Sequence, residues 1–337
     1  MSIGSADIAT VWAFIIAFAV FAYVAMDGFD LGLGMLFSLF SKKEDRDVMM
    51  NTVAPVWDGN ETWLVLGGGG LMAAFPLAYS VLMPALYTPI IAMLIGLVFR
   101  GVAFEFRWRV DADCNRWDIA FAGGSLIATL AQGIALGAIL QGIRVDGRHY
   151  GGGWWDWLTP FSLLTGAALV AGYGLLGATW LVMKTEGGLR DEAYRLSRWL
   201  LLATLIAIGA VSLATPFLEA EYWRRWFAWP NIILTAPIPL AVAGVTLLLL
   251  RSLADKQDYR PFFLSLTLFG LSYAGLGVSM WPYIVPRSIT IWQAAAPDSS
   301  LNFMIVGIAI LVPIILAYTG WAYWVFRGKV QAGSGYH

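Results

Sequence analysis

The chain has 337 residues, 59% of them hydrophobic and 13% charged, with a mean hydropathy of +0.70. About half the charged fraction of a soluble domain, beside 17 Trp and 19 Phe, leaves no polar shell for a particle in water. The formal net charge of −1 lacks the basic excess that nucleic acid selects, and the single cysteine, Cys114, excludes a disulfide framework or a thiolate metal cage. The composition is that of an integral membrane protein.

Crossing the hydrocarbon layer takes about 20 mostly apolar residues. Uncharged runs of that order occur at Ile8–Met26, Thr62–Phe99, Ile119–Ile143, Trp157–Met183, Trp199–Leu218, Trp226–Leu250, Pro261–Pro286 and Ser299–Phe326. The second run is twice the length needed and contains Phe75-Pro76-Leu77-Ala78-Tyr79-Ser80, whose proline cannot continue a helical ladder. Two spans joined by a tight turn there bring the expected number to nine, over residues 8–40, 57–76, 80–105, 118–143, 158–184, 198–217, 229–251, 261–284 and 301–326 of one integral membrane domain. The first run has no basic region before it and no small-residue cleavage pattern after it, so it is expected to remain in the mature protein.

Basic residues set the orientation. With nine spans, sixteen of the 21 Lys and Arg residues fall in the odd-numbered loops and the carboxyl tail, and five on the opposite side. The amino terminus is therefore expected outside and the carboxyl terminus in the cytoplasm. The outer loops hold Trp154, Trp155, Trp157, Trp223, Trp226, Trp229 and Trp292, as suits indole rings at the headgroup level.

Ionisable residues inside apolar segments are costly and mark function. The first group is Asp27 and Asp30 in Met26-Asp27-Gly28-Phe29-Asp30, three apart and on one helical face. Residues 8–40 as one helix would be about 50 Å long. Either that helix projects from the bilayer, leaving both acids among the cytoplasmic headgroups, or it breaks at Gly28–Gly34. The second group is Trp57-Asp58-Gly59-Asn60-Glu61-Thr62-Trp63. Early acids suit a helix dipole, but two carboxylates at i and i+3 between indoles exceed what a cap needs, and a desolvated acid there is suited to carry protons. The third is Arg100 in Phe99-Arg100-Gly101, which closes the third span and either snorkels to the headgroups or pairs with Asp27, Asp30, Asp58 or Glu61. Beyond these, the two histidines are His149, in an outer loop, and His337, at the last position, so the spans offer no histidine to a haem. The sequence carries no phosphate-binding loop and no nucleophile–base pair.

Together these blocks resemble subunit II of the cytochrome bd-type quinol oxidases. The resemblance rests on Met26-Asp27-Gly28-Phe29-Asp30-Leu31-Gly32, on Asn51-Thr52-Val53-Ala54-Pro55-Val56-Trp57-Asp58-Gly59-Asn60-Glu61-Thr62-Trp63-Leu64, on Phe99-Arg100-Gly101-Val102-Ala103-Phe104-Glu105-Phe106-Arg107, and on Leu311-Val312-Pro313-Ile314-Ile315-Leu316-Ala317-Tyr318. It implies an all-α, nine-helix fold, expected as two four-helix bundles plus a peripheral helix, in a bacterial inner membrane. It also implies a heterodimer with a haem-bearing subunit I that holds two b haems and one d haem, oxidises quinol near the outer face and reduces dioxygen to water. A small single-helix subunit is common. Subunit II of this family generally binds no haem and sometimes holds a structural quinone. Asp58 matches the position most often given a role in proton uptake, whereas the position of Glu61 varies and is often Gln. The expected proton pathway is thus Asp58, Glu61, Asp27 and Asp30, supported by Trp57, Asn60, Trp63 and Arg100, with no catalytic or metal-binding residue in this chain. The short outer loop between spans six and seven resembles the cyanide-insensitive branch. The competing readings are an ion-coupled secondary transporter, in which the same acids bind the coupling ion, and a purely structural membrane scaffold.

Overall fold

The computed structural model of the chain describes residues 5–109 and 114–330. The terminal Ser334-Gly335-Tyr336-His337 stretch lies outside the described residues. Helix α1, Ser5–Leu36, runs without a break into a single 3-10 turn at Phe37–Leu39. The glycines at positions 28–34 therefore do not interrupt it; they let it touch its neighbours. A Cβ at Gly32 would lie 1.8 Å from the carbonyl oxygen of Tyr173, and one at Gly34 would lie 2.1 Å from Ser125 Oγ.

A short polar helix, α2 (Lys43–Val53), leads to α3 (Trp57–Ala74). The chain leaves helical geometry at Phe75, one residue before Pro76, as the proline predicted. The expected tight turn is replaced by a further helix. Helix α4 (Pro76–Ala85) is a ten-residue connection, and the next long helix, α5 (Tyr87–Phe106), begins at residue 87 rather than 80. Pro89 has no N–H for the Ala85 carbonyl, so the ladder lapses at Leu86. Helix α6 (Cys114–Leu140) is followed by a two-stranded ribbon, β1 (Val145–Asp146) with β2 (His149–Tyr150). Then come α7 (Pro160–Lys184), α8 (Gly187–Leu218), two short helices α9 (Ala220–Phe227) and α10 (Asn231–Thr235), α11 (Pro237–Ala254) and α12 (Arg260–Met280). A second ribbon, β3 (Tyr283–Val285) with β4 (Ile289–Thr290), precedes the one-turn α13 (Ile291–Ala294) and the last helix, α14 (Asp298–Val325). The protein is all-helical, as expected, apart from these two small ribbons in its connections.

Among the described residues, eight helices are long and apolar enough to cross a membrane: Asp7–Leu39, Tyr87–Arg109, Cys114–Leu140, Pro160–Lys184, Gly187–Leu218, Asn231–Ala254, Arg260–Met280 and Asp298–Val325. Helix α3, with Asp58 and Glu61 in its first two turns, is not among them. Small residues allow the closest crossings, as expected where packing rather than water drives helix association. A Cβ on Gly96 of α5 would meet the Gly124 carbonyl oxygen of α6 at 2.6 Å, and Gly124 meets Gly96 reciprocally at 2.5 Å. Helix α7 is enclosed by α1, α6, α8 and α12 and is the most deeply buried of the long helices.

Helix α14 lies at the edge and is held mainly near its ends. Trp12 Nε1 donates to the Leu301 carbonyl at 3.1 Å near its start. At its finish the buried ammonium of Lys184 donates to the carbonyls of Phe326 and Gly328, satisfying groups that a helix end leaves without partners. Lys329 Nζ lies 2.6 Å from Asp258 Oδ2.

Candidate functional site

The Asp27-Gly28-Phe29-Asp30 block lies in the unbroken part of α1, where Gly28 faces the ring of Tyr173 at 2.9 Å from its would-be Cβ. Contact this close presses the block into the bundle. Asp27 is 0% and Asp30 1% exposed, so neither is an interfacial carboxylate. The Arg100 side chain of α5 is also fully buried, which removes the snorkelling alternative. Its Nη2 stands 2.7 Å from Asp27 Oδ1 and also contacts Glu61 Oε1 of α3. Of the four acids offered to Arg100 by sequence, the structure selects Asp27 and Glu61.

Asp30 is served differently. Asn60 Nδ2 donates to Asp30 Oδ2 at 2.7 Å and to the Met26 carbonyl at 3.3 Å, while Tyr323 of α14 donates its hydroxyl to Asn60 Oδ1 at 2.9 Å. Four segments that are distant in sequence thus meet at one polar cluster. Two carboxyls contact the one guanidinium and a third, Asp30, lies close by, more negative charge than it can neutralise at once. Breaking such a buried pair by removing one partner costs about 3–5 kcal/mol, because the remaining charge has no water. Asp27 Oδ2, Asp30 Oδ1 and Arg100 Nε and Nη1 accept or donate no hydrogen bond within the described chain.

The cluster opens in one direction. The Glu61 side chain is 26% exposed, and Asp58, one turn earlier on α3, is exposed. The expectation that Asp58 is desolvated between indoles is therefore corrected. Trp57 turns away to stack on Phe104, with centroids 4.7 Å apart and planes at 8°, and Trp63 is fully buried edge-on to Phe18 at 5.6 Å. Successive helical residues turn by about 100°, so with Asn60 pointing at α1, Asp58 stands about 200° away and faces outward. Asp58 and Glu61 remain within about 60° of one another on the accessible side.

Sequence reasoning missed two further features. One is Tyr323, a residue type that in a last span reads as interfacial. The other is a pair of polar groups inside the bundle, half-buried Gln132 on α6 and buried Tyr23 on α1, with Gln132 Nε2 donating to the Tyr23 hydroxyl at 2.8 Å. A separate, charge-balanced quartet fastens α2 beneath the bundle. Arg107 reaches Asp47 at 2.7 Å and Asp118 at 2.6 Å, and Arg46 reaches Asp118 at 3.0 Å. Among the described residues, no group of three or more His, Cys, Asp or Glu side chains could hold a metal ion, and His149 is exposed on the β2 ribbon.

The chain is similar to known proteins over nearly its whole length. A model of the family "Cytochrome bd terminal oxidase subunit II" matches residues 8–326. "Cytochrome bd-I ubiquinol oxidase subunit 2" of Escherichia coli K12 is 32% identical, over 95% of this chain and 94% of its own length. "Probable cytochrome oxidase subunit 2" of Haemophilus influenzae is 31% identical over 96% and 95%, and "Cytochrome bd ubiquinol oxidase subunit 2" of Bacillus subtilis is 27% identical over 97% and 98%. A chain in the solved bd oxidase of Geobacillus thermodenitrificans shares the fold with a TM-score of 0.77 at 15% identity, covering 95% of this chain and 98% of that one. The buried acids, the Trp-Asp-Gly-Asn-Glu block and this match from end to end lead to one assignment: the chain belongs to the cytochrome bd terminal oxidase subunit II family.

Proposed function

We propose that in the bd-type quinol oxidase of which this chain is subunit II, Asp58, Glu61, Asp27 and Asp30 form part of the route by which cytoplasmic protons reach the oxygen-reducing centre. The observation that carries the reading is the continuity from exposed to buried groups. Asp58 is exposed, Glu61 beside it is partly exposed, and Glu61 shares the Arg100 guanidinium with the fully buried Asp27. With two carboxyls on one fixed cation and a third close by, one can gain or lose a proton without leaving the guanidinium unpaired, which suits a group that must load and unload. Trp57 and Trp63 anchor α3 against Phe104 and Phe18, and Asn60 orients Asp30.

The haems belong, in this reading, to a larger subunit I. Reduction of dioxygen there consumes the protons that this chain helps to deliver, and no step is assigned to a haem in this chain. Family membership supports such a partner, and a small single-helix subunit would complete the assembly. The reading as an ion-coupled transporter falls with the family assignment. The arrangement in the membrane is nine spans, with α3 as the additional one. Its 18 residues make about 27 Å, nearly the hydrocarbon thickness, and its acids lie at the end that the charge rule puts in the cytoplasm. Helices α1, α3, α5 and α6 then form one four-helix bundle, α7, α8, α11 and α12 a second, and α14 stands apart, with the amino terminus outside and the carboxyl terminus inside a bacterial cytoplasmic membrane.

A scaffold role has its own support, since the Asp27–Arg100 pair ties α1 to α5. Asp58→Asn separates the two, because Asp58 is exposed and holds nothing together in the core. The proton-route reading expects the assembled complex to keep its haem spectrum and lose most of its quinol oxidase turnover. Full turnover with haems intact would refute it, and loss of haem would favour the scaffold.

A further inference from the structure

The geometry points to a polarised arm, Tyr173–Gln132–Tyr23, that positions the Asp27 carboxylate. The three side chains come from α7, α6 and α1. Tyr173 is fully buried and Tyr23 nearly so. Tyr173 donates its hydroxyl to Gln132 Oε1 at 3.1 Å, and Gln132 Nε2 donates to the Tyr23 oxygen at 2.8 Å. Having accepted from Gln132, the Tyr23 hydroxyl has its own hydrogen left to give. Asp27 lies one turn along α1, four residues on and on the same face, with the Tyr23 hydroxyl against its carboxyl group. Beyond the Arg100 contact to Oδ1, the Asp27 carboxyl receives no hydrogen bond from elsewhere in the described chain, so it has acceptor capacity left for an unspent donor.

Both links therefore run the same way, each O–H or N–H pointing toward the acid, and the hydrogen left on Tyr23 faces the Asp27 carboxyl group. The carboxylate fixes that sense: negative charge attracts the Tyr23 hydrogen, which leaves the Tyr23 oxygen to accept and obliges the Gln132 amide to present nitrogen to Tyr23 and oxygen to Tyr173. Hydrogen bonds aligned head to tail polarise one another, so the far hydroxyl contributes to the near one. A neutral amide does not relay protons, because passing one on would require its imidic form. The arm accordingly carries no protons itself: it orients Asp27 without extending the path along α6 and α7. Tyr23, Gln132 and Tyr173 are positioning residues in this account.

The inference rests on Asp27 taking part in the proposed proton route, and its test reads the two separately. Infrared difference spectra of the whole, haem-containing complex locate the Asp27 carboxylate stretch by its disappearance in Asp27→Asn, or by its displacement in Asp27→Glu where the Asn variant fails to assemble. Tyr23→Phe should move that band. Tyr173→Phe should move it in the same sense by less, and should have no effect in a Gln132→Met background, where the arm is already cut. Quinol oxidase turnover of Tyr23→Phe should fall roughly tenfold, the equivalent of one charge-assisted hydrogen bond, with haem absorbance unchanged. An unmoved band in Tyr23→Phe, or an equal response to Tyr173→Phe in both Gln132 backgrounds, overturns the arm. A band that moves while turnover stays at the wild-type level upholds the arm and removes Asp27 from the proton route.

Discussion

Arg100 of α5 reaches Asp27 of α1 at 2.7 Å, and neither side chain meets solvent. In a segment that would ordinarily tolerate no charge, the guanidinium is held by acids from two different helices, which makes its removal informative. Arg100→Leu should cost about 3–5 kcal/mol and abolish accumulation of the complex, because Asp27 and Glu61 lose their shared cation. The double variant Arg100→Leu/Asp27→Leu should recover a large part of that loss. Yield and thermal midpoint of the purified complex check both.

The contact between Tyr323 and Asn60 makes a milder prediction. Tyr323→Phe deletes one donor to Asn60 Oδ1 and leaves the ring in place. It should cost about 1 kcal/mol, while Asn60→Leu, which also strips Asp30 of its amide donor at 2.7 Å, should cost more than twice as much. Chemical denaturation of the two variants beside the wild type gives the comparison.

Packing around Gly32 leaves no room for a side chain. The first atom of alanine would sit 1.8 Å from the Tyr173 carbonyl oxygen, a backbone atom that cannot swing aside. Gly32→Ala should destabilise by at least about 3 kcal/mol, whereas Gly68→Ala, whose Cβ would meet nothing within 4 Å, should be tolerated. Expression and haem content of the complex distinguish them.

Asp258, in the connection between α11 and α12, gives a pH prediction. Partial burial alone would raise its carboxyl. The hydrogen bond and charge of Lys329, with Arg190 and Tyr194 behind it, outweigh burial and hold the group below the usual carboxylate range. A depressed folded value means the stabilisation is fully present above the ordinary aspartate value of about 4 and is lost as pH falls through the lowered one. Hydrogen exchange in residues 326–330 should therefore accelerate as pH falls below that ordinary value. Asp258→Asn should show the faster exchange already at neutral pH, with about 1–2 kcal/mol of local stability gone.

The buried charges were legible in the sequence for a simple reason: an Asp or Arg in an apolar run stands out against its neighbours, and Asp27, Asp30 and Arg100 each did. Their mutual pairing was legible only as a choice among four acids, because spacing along one helix says nothing of the register between helices. Asp58 shows the same limit. The i, i+3 spacing correctly put it beside Glu61, but which side of α3 faces the bundle is decided by Asn60 finding Asp30 across the helix pair. Tyr323 and Tyr23 escaped notice because tyrosine near a span end is expected at the headgroups. Gln132, uncharged but polar in the middle of a span, was a signal that a search for charges passes over. The connection at α4 was missed because the proline at position 76 marks where a helix starts as well as where one stops.

The most direct test of the proton route is time-resolved proton uptake by the fully reduced complex when it meets dioxygen, followed with a pH-sensitive dye beside haem absorbance. In Asp30→Asn, which keeps the shape of the side chain beside Asn60 and removes only the titrating group, uptake should slow at least about tenfold while dioxygen still binds with the normal haem spectrum. Uptake at the wild-type rate in that variant, with haem content unchanged, would contradict the account.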